Sequence, residues 1–212
     1  PGSSPARGVR DLGSLPSPTV AACSGAPSGL SGLALAAAQL ETLVPASLAG
    51  LGESRQRYGL FTNDDGGILD DLMIANRGDH LFLVVNAACK DADIAHMRAN
   101  LSCPVEVVDD RALLALQGPA AEAVLTDIVP GVSAMRFMDV IVTDSAFGEV
   151  WISRSGYTGE DGYEISVPAA DAERQATADA ADPLAHRRCR TGTRRVRRLA
   201  RCVPVPEVVG PP

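Results

Sequence analysis

The pair of consecutive aspartates Asp70 and Asp71 could do chemistry, because each is an anion at neutral pH. An anionic carboxylate can accept a hydrogen bond from an amine and stabilise positive charge that develops on it. The pair follows Gly66 and Gly67, which can adopt positive φ and so predict a tight reversal into a strand. Neighbouring strand residues point to opposite faces, so one aspartate is expected to face a partly buried side.

A purely structural interpretation of the two aspartates also fits. Charged side chains in an edge strand discourage association with other strands, and that role requires no ligand. A carboxylate on a buried face is costly unless it has partners or a task. The residues around Asp70 and Asp71 alone leave both interpretations open.

The second stretch with chemical potential is residues 155–164. It combines regularly spaced glycines with tyrosines and acids: Gly156, Tyr157, Gly159, Glu160, Asp161, Gly162, Tyr163 and Glu164. Acids repel phosphate, and the ligand spacing of a calcium-binding EF-hand is absent. Tyrosines offer flat apolar contact and a carboxylate accepts paired N–H donors, which suits a planar ligand with amide groups. A hairpin loop with incidental acids is the alternative.

Apolar periodicity and turn residues predict an α+β fold, with mixed β-sheets and flanking helices. The predicted strands are residues 57–63, 68–75, 81–86, 105–108, 112–116, 137–143, 149–153 and 163–167, and the predicted helices are residues 33–44, 87–101, 120–129 and 169–180. In the helix over residues 87–101, we expect Ile94 and Met97 to face the core and Asp93 to lie outside. The aspartate pair and residues 155–164 would then be positioned by strands and strand connections.

Composition excludes several classes of function. No run of about 18 apolar residues is present, so the sequence predicts no transmembrane helix. The five cysteines form no CxxC pair and their number is odd, which argues against a disulfide framework and for a reducing compartment. The three histidines are far from any cysteine cluster, so no metal site is predicted. Residues 35–178 hold 22 acidic and 9 basic residues, which argues against nucleic acid as a partner.

The two ends of the chain differ in composition from its middle. Residues 1–32 are rich in Pro, Gly, Ser and Ala and are predicted to be disordered. Residues 181–212 form an Arg/Pro-rich tail without apolar periodicity. Both compositions are also those expected of a GC-rich gene read out of frame. We therefore divide the sequence into residues 1–32, 33–180 and 181–212.

Four segments in a fixed order, residues 58–72, 83–87, 113–119 and 156–164, resemble the folate-binding aminomethyltransferase family, which includes the T protein of the glycine cleavage system. The resemblance covers residues 33–180. It implies a partial version of the family's first two domains. Neither residues 1–32 nor residues 181–212 resemble the family, and its C-terminal barrel domain has no counterpart in this sequence.

The resemblance also implies a reaction and a set of residues. The family transfers an aminomethylene unit from the lipoyl arm of H protein to tetrahydrofolate, with release of ammonia. On this sequence the catalytic carboxylate is expected to be Asp70, the first of the pair. Tyr58, Asn86, Tyr157 and Glu164 match positions that line the folate site. The implied compartment is the bacterial cytoplasm or the mitochondrial matrix, with no membrane and no nucleic acid as partner.

Two other functions remain open at this point. One is a folate-binding module without transferase activity, as in related proteins of iron–sulfur maintenance. The other is a truncated product without activity. The retained Asp70 and the complete segment 156–164 favour the transferase.

Overall fold

The computed structural model describes residues 20–23, 32–146, 148–156, 158–171 and 202–203. Its elements are ten strands and three α-helices. The strands are β1 Val20–Cys23, β2 Arg55–Thr62, β3 Ile68–Asn76, β4 Leu81–Val85, β5 Val105–Val108, β6 Arg111–Gln117, β7 Val140–Ser145, β8 Gly148–Arg154, β9 Gly162–Pro168 and β10 Cys202–Val203, and the helices are α1 Gly32–Leu40, α2 Lys90–Asn100 and α3 Ala121–Ile128.

The first sheet has the strand order β2-β3-β4-β1-β5, and its paired strands are antiparallel. One face of β3 and β4 packs on the helices, where Leu72, Ile74 and Leu83 join Leu40 of α1 and Met97 of α2 in one core. β4 is almost wholly buried, as its unbroken apolar sequence predicts. This core fixes which face of β3 points toward the helices.

The second sheet has the order β10-β6-β9-β8-β7, also with antiparallel pairs. Its core is formed by α3 and the strands, with Leu125, Val150, Tyr163 and Ile165 fully buried. The 3-10 helix Pro130–Ala134 follows α3 and covers one side of this core through Val132.

The two sheets face each other through a small apolar cluster. Ala75 and Phe82 of the first sheet pack with Val140 of the second, and the rings of Phe82 and Trp151 meet edge to face at 5.0 Å between centroids. An ion pair between Arg55 and Asp139 joins β2 to the segment before β7. These contacts set the spacing between the sheets, and the candidate site lies in the remaining gap.

The predicted α+β class is confirmed, and most of the predicted elements lie within a few residues of the observed ones. Within the stretch expected to be disordered, residues 20–23 form β1, which sits between β4 and β5. The predicted helix over residues 169–180 begins with a 3-10 turn at Ala169–Asp171, and the rest of it lies outside the described residues. The prediction of an exposed Asp93 is wrong, because Asp93 lies on the buried face of α2 together with Ile94 and Met97.

The cysteines also differ from expectation. Cys103 is disulfide-bonded, although the odd cysteine count argued against a disulfide framework. Cys89 is a free thiol at the start of α2. Within the described part of the chain, none of the helices has the length and apolar character needed to cross a membrane.

Candidate active site between the sheets

A cavity of about 500 Å³ opens between the two sheets. The first sheet contributes β2, β3 and β4 to its wall, and the second contributes β9 and the segments before β7 and after β8. Its lining residues are Tyr58, Asp71, Leu72, Met73, Val84, Val85, Asn86, Phe137, Met138, Ser155, Gly156 and Glu164. The wall is therefore mostly apolar with a few convergent polar groups, as is usual for sites that bind small organic molecules.

Strand β3 separates the two aspartates. Asp71 shares a strand face with Met73, and both line the cavity. Asp70 shares the other face with Leu72 and Ile74, whose side chains belong to the helix-side core. Asp70 is only 8% exposed and is not among the described residues that line the cavity. Asp71 is therefore the carboxylate of the pair that lines the cavity, whereas Asp70, the expected catalytic residue, lies on the opposite face of β3.

Asn86 connects the two aspartates. Its side-chain amide Nδ2 donates to Oδ1 of Asp70 at 2.9 Å and to Oδ1 of Asp71 at 2.7 Å. Its backbone N–H donates to Oδ2 of Asp70 at 3.3 Å. Asn86 follows β4 directly, so the pairing of β3 with β4 brings it beside the aspartates. The predicted site residue Asn86 therefore lines the cavity and also connects it to the buried carboxylate of Asp70.

Glu164 lies on the opposite wall, on β9. Ser155 Oγ donates to Oε2 of Glu164 at 3.1 Å, and Ser153 Oγ lies at 3.5 Å from the same atom. Burial raises the pKa of Glu164 above its usual value, and the two hydroxyl donors only partly oppose this. A carboxylate in this setting gains much from a ligand that offers N–H donors.

The glycine-rich segment 156–162 is held by Arg154, the last residue of β8. The Arg154 guanidinium pairs with Asp161 and with Glu122, and it also donates to the carbonyl of Met135 at 2.7 Å. The hydrogen bond to Arg154 lowers the pKa of Asp161. Asp161 therefore fixes the loop, whereas Glu164, two residues beyond the segment, lines the cavity.

Aromatic side chains stand at the cavity. Tyr58 is 50% exposed and lines it from β2. Desolvation is the main cause that raises the pKa of Tyr58, and its hydrogen bond to Asp71 raises this pKa further. Tyr157, the other predicted aromatic site residue, lies outside the described residues. Phe137 is 60% exposed and also lines the cavity. The sequence pattern places Phe137 in a strand and does not identify it as a site residue.

A buried acid lies behind the cavity wall. Asp93 of α2 is 3% exposed and interacts with Asp70. Its position could have been read from helical spacing, since Asp93 precedes the buried Met97 by four residues. Among the described residues, no group of three or more His, Cys, Asp or Glu side chains is arranged to hold a metal ion.

Chemically, the cavity offers the carboxylates of Asp71 and Glu164, with the aromatic rings of Tyr58 and Phe137 also in its lining. Asp71 can accept a hydrogen bond from an amine, and Glu164 can accept from an N–H edge on the other side. A ligand that reaches both would carry hydrogen-bond donors at two separate points. The geometry favours binding and orientation of such a ligand.

Comparison with known proteins gives consistent matches. The family model described as GCVT N-terminal domain matches residues 32–205. The mitochondrial aminomethyltransferase of Mus musculus is 43% identical over 150 residues, which are 65% of this chain and 37% of that protein. The corresponding protein of Dictyostelium discoideum is 38% identical over 148 residues, 64% of this chain and 37% of its own length.

A solved structure is similar as well. The crystal structure of glycine cleavage system aminomethyltransferase T from Bartonella henselae aligns with a TM-score of 0.65 and 33% sequence identity. The alignment covers 78% of this chain and 43% of that one. The present chain thus spans a little over a third of the length of the two curated relatives named above.

Proposed function

Because the chain belongs to the GCVT N-terminal domain family, we propose that it takes part in aminomethyl transfer to tetrahydrofolate in the glycine cleavage system. The observation that carries this proposal is one mostly apolar cavity that Asp71 and Asn86 line from the first sheet and Glu164 from the second. A pterin ring is flat and has an N–H edge, and the amine-bearing part of a reduced folate extends from it. Tetrahydrofolate therefore fits the chemistry of this cavity.

Glu164 is the proposed acceptor for the pterin N–H edge. Ser155 holds one of its carboxylate oxygens, and the burial of Glu164 strengthens any hydrogen bond that it accepts from a ligand. Tyr58 gives flat apolar contact beside Asp71. We place Tyr157 in the same folate site, as the resemblance implies.

Asp71 is the proposed carboxylate beside the reacting folate amine. It lines the cavity, and Asn86 holds it at 2.7 Å. As an anion it stabilises the positive charge that develops when the amine attacks the aminomethyl carbon. Asp70, which the resemblance singled out, acts from behind the wall through Asn86. Positioning of the two reactants supplies most of the catalysis.

The proposed reaction balances without an oxidant. The aminomethyl carbon loses its bond to the lipoyl sulfur of H protein and its bond to nitrogen, and it gains bonds to two folate nitrogens. The two protons that those nitrogens lose go to the departing thiol and to ammonia. Lipoylated H protein and tetrahydrofolate are thus the proposed partners. The compartment is the mitochondrial matrix, as the names of the mouse and Dictyostelium relatives suggest, or a bacterial cytoplasm.

Calorimetric titration with 5-formyltetrahydrofolate, a stable reduced folate, tests the proposal. The chain should bind it, and Glu164→Ala should weaken binding by about 1–3 kcal/mol, the cost of losing a hydrogen bond to a charged group. Glu160→Ala is the matched control, because Glu160 is an exposed acid of the same segment. Absence of binding to the parent chain, or equal curves for parent and Glu164→Ala, would contradict the proposed site.

A further inference from the structure

We propose that Asp93 is a positioning residue that shares a proton with Asp70 and thereby fixes the side chain of Asn86 at the cavity wall. Its effect on folate binding rests on the proposed function, whereas the shared proton does not. The Asp93 carboxyl is buried on the helix side of β3 and has no part in the transfer chemistry.

The burial of Asp93 is nearly complete. Its side chain is 3% exposed, and its atom Oδ2 has no hydrogen-bond partner among the described residues. The Asp70 carboxyl, itself 8% exposed, is in contact with it. Two ionised carboxylates only accept hydrogen bonds, so neither can satisfy the other. One proton between them converts the pair into a donor and an acceptor and removes one buried charge.

The surroundings favour the protonated form of Asp93. The pKa of Asp93 is raised to about 7. Burial is the main cause, and the hydrogen bond with Asp70 and the charge of Asp70 act in the same direction. Cys89, the residue just before α2, also interacts with Asp70 and Asp93, and burial raises the pKa of its thiol. Among the described residues, the ionisable groups that interact with the Asp93 carboxyl are thus Asp70 and Cys89, and neither is a cation. Both oxygens of Asp70 already accept hydrogen bonds from Asn86, whereas Oδ2 of Asp93 has no donor among the described residues, so Asp93 is the member of the pair that donates.

The consequence reaches the cavity through Asn86. An anionic Asp70 presents two acceptor oxygens, and both receive hydrogen bonds from Asn86. The same amide nitrogen also donates to Asp71. Because acceptors surround this nitrogen, the amide of Asn86 is held in one orientation and Asp71 is held at the cavity wall. Loss of the Asp93 proton places a second charge beside Asp70 and loosens this arrangement.

The first experiment observes the proton directly. In the chain labelled with ¹³C at aspartate carboxyls, an NMR titration should show one carboxyl with a midpoint near the value given above for Asp93. That titration should vanish in Asp93→Asn and remain in the control Asp91→Asn, which changes an exposed aspartate of the same helix. A spectrum in which every aspartate titrates near its ordinary pKa of about 4 would overturn the proposal.

The second experiment separates positioning from mere packing. Asp93→Asn retains a neutral donor of the same shape, so its affinity for 5-formyltetrahydrofolate should stay within about threefold of the parent. Asp93→Ala removes the donor and should weaken binding by about tenfold or more. The parent should also lose affinity as pH rises through the Asp93 midpoint, whereas Asp93→Asn should not.

Two results would contradict the proposal. One is an affinity of Asp93→Asn that falls as far as that of Asp93→Ala, and the other is a loss of affinity with rising pH that persists in Asp93→Asn. Thermal unfolding of each variant identifies a loss of fold, and Asp93→Asn keeps the test decisive if Asp93→Ala does not fold. A parent chain that shows the shared proton but binds no folate would contradict the proposed function and leave the proton pair intact.

Discussion

Asp70 and Asp71 are neighbours in the chain but occupy opposite faces of β3, one against the helix-side core and one in the cavity wall. Asn86 donates to both and so couples the two faces through a single side chain. Asp71 can therefore contact a ligand while Asp70 holds the side chain of Asn86 in place. This division of roles leads to different expectations for the two aspartates.

Asp71→Asn should lower the rate of aminomethyl transfer by about 100-fold or more, the usual contribution of a positioned charged group in catalysis. Affinity for 5-formyltetrahydrofolate should change by less than about tenfold, because the shape of the cavity wall is kept. Transfer is measured as methylenetetrahydrofolate formed from aminomethylated H protein, and affinity is measured by calorimetry.

Asp70→Asn is the companion variant. It removes the anion that accepts from Asn86, so it should weaken folate affinity and transfer together rather than transfer alone. If Asp70→Asn abolished transfer while Asp71→Asn left it unchanged, the assignment of the reacting carboxylate would return to Asp70.

Glu164→Gln should alter stability in a pH-dependent way. Burial raises the pKa of Glu164 in the folded chain above its usual value of 4.5, so folding favours the protonated side chain. The stability contribution is complete below that usual value and is lost as pH rises through the raised pKa. Relative to the parent, Glu164→Gln should therefore gain unfolding free energy between about pH 4 and about pH 8.

Urea unfolding at the two pH values measures this change, and Glu160→Gln serves as the exposed control. The same Glu164→Gln variant should bind folate less well, because an amide accepts the pterin N–H edge less strongly than a carboxylate does. A stability difference that is the same at both pH values would show that Glu164 is ionised at no cost in the folded chain.

Gly156→Ala should disturb the glycine-rich segment. A Cβ at Gly156 would lie 1.7 Å from the carbonyl oxygen of Glu160, and backbone there must move to admit it. We expect a loss of about 1–3 kcal/mol in unfolding free energy, typical of overpacking, together with weaker folate binding. Gly131→Ala is the control, because a Cβ at Gly131 meets nothing within 4 Å. Equal thermal stability of the two variants would contradict the close approach at Gly156.

Much of the architecture could be predicted because strand signals are local. The unbroken apolar run of β4 and the glycine turn before β3 each fix an element without reference to the rest of the chain. β1 is different, since Val20–Cys23 lies in a Pro/Gly/Ser-rich stretch and gains its pairing only from β4 and β5. Tertiary pairing of this kind leaves no mark in local composition.

Several residues of the cavity wall could be predicted from the sequence, but the directions in which the two aspartates point could not. The ordered segments that resemble the family selected Tyr58, Asn86 and Glu164, and all three line one cavity. Side-chain alternation along β3 predicts that the two aspartates point to opposite faces of the sheet, but it does not predict which face the helices cover. That choice depends on the packing of Leu72 and Ile74, which is set by the whole first sheet.

Arg154 is the side chain on which the shape of the glycine-rich segment depends. Its guanidinium contacts Asp161 of that segment, Glu122 of α3 and the carbonyl of Met135, and it is largely buried. Arg154→Met keeps much of the length and removes the charge and the donors. We expect a loss of about 2–3 kcal/mol in unfolding free energy, since several charge-assisted hydrogen bonds disappear at once.

The effect should be local to the segment that Arg154 anchors. The N–H of Gly118 donates to the carbonyl of Asp161 at 2.8 Å, so hydrogen exchange at Gly118 reports whether Asp161 stays in place. Exchange there should accelerate in Arg154→Met and folate affinity should fall, because Ser155 and Gly156 line the cavity beside the anchor. Arg136→Met removes a guanidinium that is mostly exposed and should leave both measurements unchanged. Unchanged exchange at Gly118 in Arg154→Met would mean that the segment holds its shape through its own backbone, without the ion pairs.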